Sequence, residues 1–241
     1  MKTSTQLKAL IRNLSKSTNI ETEVLLRTYM LERLLERISI SQFSENFILK
    51  GGMLIASMVG IDTRATMDMD ATLRGFSLKK EEIGNIFISI VSQQLDDNVK
   101  MTFKSIEEIN NEAEYPGMRV SIEAILDKTK QILKIDITSG DTITPKEIDY
   151  NFKLMFEDRM IHIKAYNLET VLAEKLETVI IRGITNTRMR DFYDIYILSA
   201  LQICCLDTRI FAIALRNTAT IRGTFSNLIE FGSSAIDLKG V

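Results

Sequence analysis

A short apolar run that stops at two glycines and restarts as a helix constrains this chain more than any other feature. Phe47-Ile48-Leu49 ends at Lys50-Gly51-Gly52, and residues 53–59 continue at helical spacing. A brief apolar run bounded by glycine reads as a buried strand, so the glycines form a strand-to-helix junction. Residues without Cβ let a backbone approach a partner closely, and a helix N-terminus offers unpaired N–H donors that suit a phosphate. The junction is not a P-loop, because Gly-x-x-x-x-Gly-Lys-Ser/Thr does not occur. By themselves the two glycines fit an ordinary turn equally well.

The residues after the junction narrow the reading. Residues 67–73 begin with period-two alternation and are expected to form a strand. In a strand, Asp68 and Asp70 project from one face. Two adjacent carboxylates repel unless a cation sits between them, and oxygen-only donors suit Mg²⁺ or Mn²⁺. A third carboxylate, Asp136, lies in the apolar stretch Leu133-Lys134-Ile135-Asp136-Ile137. An acid in such company is costly unless it is paired or binds a metal. Three carboxylates from two strands can hold two metal ions about 3.5–4 Å apart, an arrangement suited to in-line phosphoryl or nucleotidyl transfer. One metal would activate the acceptor oxygen and the other would stabilise the leaving group. A lone Asp-x-Asp also fits a solvated strand face. The order of Gly-Gly, 15 intervening residues, Asp-x-Asp and a later strand aspartate is far more specific.

The rest of the chain supplies a frame. Residues 4–14 and 21–38 carry apolar residues at helical spacing and predict an N-terminal helical pair. With seven basic and four acidic residues in positions 1–40, a helix-turn-helix is one reading; a helical buttress on the main body is favoured, since no recognition-helix signature stands out. Residues 79–95 predict a long amphipathic helix. Strands are expected at 99–106, 118–125 and 131–138, with a weaker one at 160–165. Helices are expected at 168–182, 190–201, 208–217 and 225–231, the first capped by Asn167. The acidic stretch Glu107, Glu108, Glu112 and Glu114 is expected to be a solvated loop. The organisation is therefore an N-terminal pair over 1–40, a mixed α/β core over 41–166 and a helical part over 167–241.

Several classes are excluded. Thirty basic against 32 acidic residues leave a net charge of −2, so no global cationic field draws in nucleic acid. A local patch remains available, because residues 182–222 hold six arginines against three aspartates. Cys204 and Cys205 are neighbours and cannot build a disulfide framework, so a reducing cytoplasm is expected. They are expected to be buried and inert. One histidine, His162, rules out a multi-histidine metal site and is read as structural. No apolar run approaches the roughly 18 residues of a membrane span.

Leu49-Lys50-Gly51-Gly52 followed by Arg64-x-Thr66-x-Asp68-x-Asp70 resembles the first motif of nucleotidyltransferases with the polymerase-β-like fold. The narrower resemblance is to the AbiEii/AbiGii toxin family of type IV abortive-infection toxin–antitoxin systems. Two later segments carry it: Asn167-Leu-Glu169 with Ala173-Glu174-Lys175-Leu176, and Arg188-Met-Arg190-Asp191-Phe-Tyr193-Asp194-Ile-Tyr196. It spans roughly residues 20–200. Gly52 stands where the superfamily often has serine, and Arg190 where a lysine often precedes the first aspartate.

The resemblance implies an α+β fold with a mixed sheet and flanking helices, and an enzyme moving an NMP from an NTP to an acceptor. It implies a catalytic set of Asp68, Asp70, Asp136, Lys175 and Asp194, and a nucleotide- and phosphate-binding set of Lys50, Gly51, Gly52, Arg64, Thr66 and Asp191. It also implies a separately encoded antitoxin and an acceptor such as the 3′ end of tRNA. Read without it, Lys175 fits either a triphosphate contact or a surface ion pair. Asp191 and Asp194 share a helical face and fit either site residues or structural partners of Arg188 or Arg190, and Arg64 can equally pair with a nearby acid. Antiparallel packing of 168–182 on 190–201 would let Asp194 reach Lys175 better than Asp191 does. The alternatives kept open are a transferase acting on a small molecule or a protein, and a non-catalytic nucleic-acid-binding regulator.

Overall fold

The computed structural model describes residues 3–109 and 117–237. The chain divides into two compact units, Met1–Gly140 with Asp149–Ala165, and Asp141–Ile148 with Tyr166–Val241.

The first unit is built on a seven-stranded mixed sheet. Its chain order is α1 (Ser4–Thr18), α2 (Thr22–Ser39), β1 (Phe47–Lys50), α3 (Gly51–Val59), β2 (Met69–Leu73), α4 (Lys80–Val91), β3 (Val99–Ile109), β4 (Gly117–Leu126), β5 (Thr129–Thr138), β6 (Ile148–Lys153) and β7 (Met160–Ala165). The spatial order is β3-β4-β5-β2-β1-β7-β6. β1 runs antiparallel to β2, while β2 runs parallel to β5 and β1 parallel to β7. Alternation along the central strands separates the faces. Met69, Ala71 and Leu73 of β2, Leu133, Ile135 and Ile137 of β5, and Val120, Ile122 and Ala124 of β4 are buried on one side. Asp70, Asp136 and Arg119 fall at the intervening positions, on the other side.

α2 is buried along almost its whole length, from Leu25 through Ile38, including Glu32, Arg33, Glu36 and Arg37. A helix enclosed on nearly every face has no side left for a nucleic-acid groove, so it is a core helix. Its charges are matched internally. Arg37 Nη1 and Nη2 bond Asp97 at 2.7 and 3.0 Å. Arg33 lies 2.9 Å from Glu36 and 3.1 Å from Glu157.

Glu32 is the exception with a consequence for stability. Burial pushes its carboxyl up to about 8, against the lowering effect of the Met155 N–H and of Arg33. The unfolded chain loses this proton near 4.5, while the folded chain keeps it to about 8. Between those values the folded state binds the extra proton, so stability falls as pH rises through the window. Glu32→Gln is expected to flatten that slope, checked by melting temperatures from about pH 5 to 8.

The second unit is helical: α5 (Leu168–Arg182), α6 (Met189–Gln202), α7 (Thr208–Ile221) and α8 (Phe225–Asp237). Asn167 caps α5 by accepting from the Thr170 N–H at 2.8 Å, and its amide donates to the carbonyls of Thr144 and Lys146. One side chain thus ties segment 141–148 to the start of α5, which explains why a stretch without periodicity joins this unit. Arg222, after α7, bonds Glu177 at 2.7 Å and Glu174 at 3.3 Å on α5.

Some expectations need correction. Glu107 and Glu108 are not in a loop. They lie in β3, paired with Arg119 and Met118, because β3 continues three residues past the expected end at 106. Glu112 and Glu114 lie outside the described residues. Strand β6 was not expected. Only Phe152 of it is buried, yet Ile148, Tyr150 and Phe152 alternate with Asp149, Asn151 and Lys153, a period-two signal that marks a strand exposed on one face. Cys204 and Cys205 are exposed rather than buried, because they fall in a single 3-10 turn after α6 and not inside the helix.

Candidate active site

A row of charged residues crosses five strands of the first unit. Lys50 of β1 pairs in register with Asp70 of β2, Asp70 with Asp136 of β5, Asp136 with Arg119 of β4, and Arg119 with Glu107 of β3. Register partners share a face. Asp70 and Asp136 are therefore neighbours on strands roughly 4.8 Å apart. Like charges at that spacing need a cation nearby.

Two cations stand in the row, Lys50 opposite Asp70 and Arg119 opposite Asp136, and Arg119 grips its partner. Its Nε and Nη2 donate to the two oxygens of Asp136, both at 2.7 Å. This is the bidentate fork that suits guanidinium and carboxylate. The Asp136 bond holds the Arg119 pKa above its usual range; desolvation opposes this, and the charges of Asp136, Asp68 and Asp70 add to it. All three aspartates thus act on one guanidinium. Sequence reasoning missed Arg119, because strand register is invisible before β4 and β5 are paired.

Asp68 does not stand beside Asp70 on a strand, as the alternation predicted. β2 begins at Met69, and Asp68 occupies the bend before it. Thr66 accounts for the bend. Its hydroxyl donates to the Asp68 carbonyl at 3.2 Å, and its own carbonyl accepts from the Thr28 hydroxyl at 3.2 Å. Thr66 and Arg64 are both buried, and the Arg64 guanidinium donates to the Ala65 carbonyl. These two residues of the Arg-x-Thr-x-Asp-x-Asp motif shape the loop that delivers Asp68.

The two glycines serve the same side chains. Gly51 has φ +66°, and a Cβ there would lie 2.1 Å from Asp70 Oδ2. A Cβ on Gly52 would meet the Thr66 hydroxyl at 2.8 Å. The Gly52 N–H, in the first turn of α3, points at Asp70 Oδ2 at 3.4 Å. α3 begins at Gly51 itself, so the helix N-terminus sits against the Asp70 carboxylate. Gly51→Ala is expected to lose about 1–2 kcal/mol to the left-handed backbone and to displace Asp70. Gly140, with φ +82° and nothing within 4 Å, is the control that carries backbone strain alone. A larger loss of transfer in Gly51→Ala than in Gly140→Ala, at matched melting temperature, checks the Asp70 contact.

Asp70 and Asp136 therefore meet beside Gly51, with Asp68 in the same field. The donors are oxygens only, which fits a hard divalent cation in kind. Among the described residues, however, no three acidic, histidine or cysteine side chains are already gathered in a metal-binding group, and Asp136 is held by Arg119.

The second unit carries its own constellation. Lys175 of α5 lies 2.5 Å from Asp191 Oδ1 and 3.1 Å from Asp194 Oδ2, both on α6. Asp191 is the closer partner, which reverses the expected preference for Asp194. Both are in reach because α5 and α6 pack along one face and the two acids sit one turn apart. Both are buried, Asp194 completely. Burial alone would lower the Lys175 pKa, but the charges and hydrogen bonds of Asp191 and Asp194 outweigh it and raise it. Asp191 Oδ2 is buried without a hydrogen-bond partner among the described residues, so this carboxylate has one acceptor oxygen unused. Lys175 is thus a half-buried ammonium held between two buried carboxylates and not an exposed ion pair.

The arginine patch is smaller than its sequence count. Arg222 is held by Glu177 and Glu174, and Arg216 stacks over the Phe225 ring at 5.6 Å. His162 contacts Asn151 at 2.5 Å on the exposed side of β7.

This sheet, with its charged row and flanking helices, is the fold of a nucleotidyltransferase. It resembles the nucleotidyltransferase toxin MenT4 of Mycobacterium tuberculosis with a TM-score of 0.59 and 11% identity, over 86% of this chain and 68% of that one. A protein of H. pylori described as a nucleotidyltransferase matches with a TM-score of 0.53 and 13% identity, over 87% and 83% of the two chains. No curated protein matches the sequence. The chain belongs to the nucleotidyl transferase AbiEii toxin family of type IV toxin–antitoxin systems, whose family profile matches residues 33–239. It is accordingly an enzyme, and the non-catalytic regulator is set aside. No helix among the described residues is long and apolar enough to cross a membrane.

Proposed function

We propose that this toxin transfers a nucleoside monophosphate from an NTP to an RNA acceptor, with the 3′ end of tRNA the leading candidate, in the cytoplasm and with Mg²⁺ or Mn²⁺. The acceptor oxygen bonds to the α-phosphorus, the bond to the β-phosphate oxygen breaks, pyrophosphate leaves and the acceptor hydroxyl gives up its proton. The observation that carries this reading is the adjacency of Asp70 and Asp136 beside the helix N-terminus at Gly51-Gly52. Asp70 and Asp136, with Asp68, would hold the divalent cation. When bound, it supplies charge neutralisation on the phosphates. The α3 N-terminus and Lys50 offer donors and positive charge to phosphate. Lys175 would supply an ammonium for the triphosphate once loosened from Asp191 and Asp194, the two acids that position it. The family's toxin–antitoxin context makes a separately encoded antitoxin the restraining partner.

The test is incubation of the pure protein with each labelled NTP, Mg²⁺ and, separately, total RNA, protein and small hydroxylated acceptors. Label is expected in RNA, with release of pyrophosphate in equal amount. Label in protein or a small acceptor instead would move the substrate class to the transferase alternative.

A further inference from the structure

Arg119 is placed to do more than neutralise a strand aspartate. It grips Asp136 through both oxygens at 2.7 Å, so the lone pairs facing the fork are taken, and a divalent cation meets Asp136 either on the remaining lone pairs, with two cations crowded on one carboxylate, or by loosening the fork. Its side chain is 37% exposed and that of Asp136 is 24% exposed, so the pair sits at an accessible surface and can separate without unfolding the sheet. The guanidinium also feels the charges of Asp68 and Asp70, so all three carboxylates attract it as they would attract a metal. A surface or half-exposed pair of this kind is worth little in stability, which leaves exchange of one cation for another energetically accessible.

We propose that Arg119 is the resident counter-cation of this carboxylate site and a positioning residue that competes with the divalent cation for Asp136. In the free enzyme it keeps Asp136 in place and keeps metal occupancy low. Arrival of the triphosphate, which brings negative charge to the row, favours release of the guanidinium toward phosphate and frees Asp136. Metal and NTP should therefore bind with strong positive coupling. The inference rests on the carboxylate reading proposed above.

The test measures Mn²⁺ binding by electron paramagnetic resonance to wild type, Arg119→Met and Arg119→Lys, each with and without a non-hydrolysable NTP analogue. Melting temperatures of the free proteins serve as the folding control. Without nucleotide, Arg119→Met is expected to bind Mn²⁺ about tenfold or more tightly than wild type, the low end of the coupling of close charge pairs. Arg119→Lys should fall between, because an ammonium cannot span both oxygens. The nucleotide should tighten Mn²⁺ binding in wild type far more than in Arg119→Met. Equal or weaker Mn²⁺ binding by folded Arg119→Met would overturn the competition, and weaker binding would mean that Arg119 orients Asp136 for the metal. Asp70→Asn separates the two levels. If wild type, Arg119→Met and Asp70→Asn all bind Mn²⁺ alike, or none binds it with nucleotide, the carboxylate site itself is wrong and the role of Arg119 falls with it.

Discussion

Asp70→Asn is expected to reduce nucleotidyl transfer by about 10³-fold or more, the scale of losing one preorganised charge-stabilising group, with the melting temperature unchanged. Asparagine has the size of aspartate, so it fits the space that Gly51 leaves open, and its carbonyl oxygen can still face the Gly52 N–H. Only the charge is removed. It removes the repulsion between Asp70 and its register partner Asp136 together with the attraction of Asp70 to Arg119, and these oppose each other, so stability should change little. Asp136→Asn should cost transfer similarly, but it also strips Arg119 of its bidentate partner, and the two effects would be harder to separate. Asp70 is therefore the cleaner position. Transfer assays with far-UV circular dichroism check the result, and a folded Asp70→Asn enzyme with near-wild-type turnover would sink the assignment.

How much of this was legible in the sequence depends on whether the signal was local. The glycine junction and the strand after it are local signals, and both elements form, although α3 begins at Gly51 and β2 at Met69, two residues after the expected start. α5 begins and ends where its apolar spacing and the Asn167 cap predicted. β6 is the exception, since Ile148, Tyr150 and Phe152 alternate with Asp149, Asn151 and Lys153, and the strand was legible although it was not predicted. The site divides along the same line. Asp70 and Asp136 could be picked out, since an acid on an apolar strand is a local anomaly. Arg119 could not, because its role is created by pairing β4 to β5. Asp68 was read as a strand residue because alternation cannot see a hydrogen bond such as that from Thr66 to its carbonyl. The glycines were noticed for phosphate, whereas the packing reason for them is the room that Asp70 and Thr66 take.

The Lys175 pair gives the second large effect. Lys175→Ala leaves Asp191 and Asp194 facing each other in a buried setting. Removing one partner of a buried pair costs about 3–5 kcal/mol, and since the Lys175 side chain is 21% exposed, the loss should lie toward the lower figure. Transfer by this variant is expected to vanish, but lost folding alone could explain that. Lys175→Arg decides the matter. It keeps the positive charge beside both carboxylates and should keep the melting temperature, yet a planar fork locked onto Asp191 and Asp194 cannot serve as a mobile ammonium. The expected result is a folded enzyme with transfer down about 10²-fold or more and a raised NTP requirement. Titration adds an independent check. The folded Lys175 pKa is raised above its ordinary 10.5, so the stability from this pair is fully present below that value and is lost as pH rises through the folded pKa. The pair should therefore contribute a stability constant across the neutral range, and the Lys175→Arg and wild-type melting curves should run parallel there. If Lys175→Arg turns over and binds NTP as the wild type does, Lys175 is a structural ion-pair partner for α6 and has no part in handling the triphosphate.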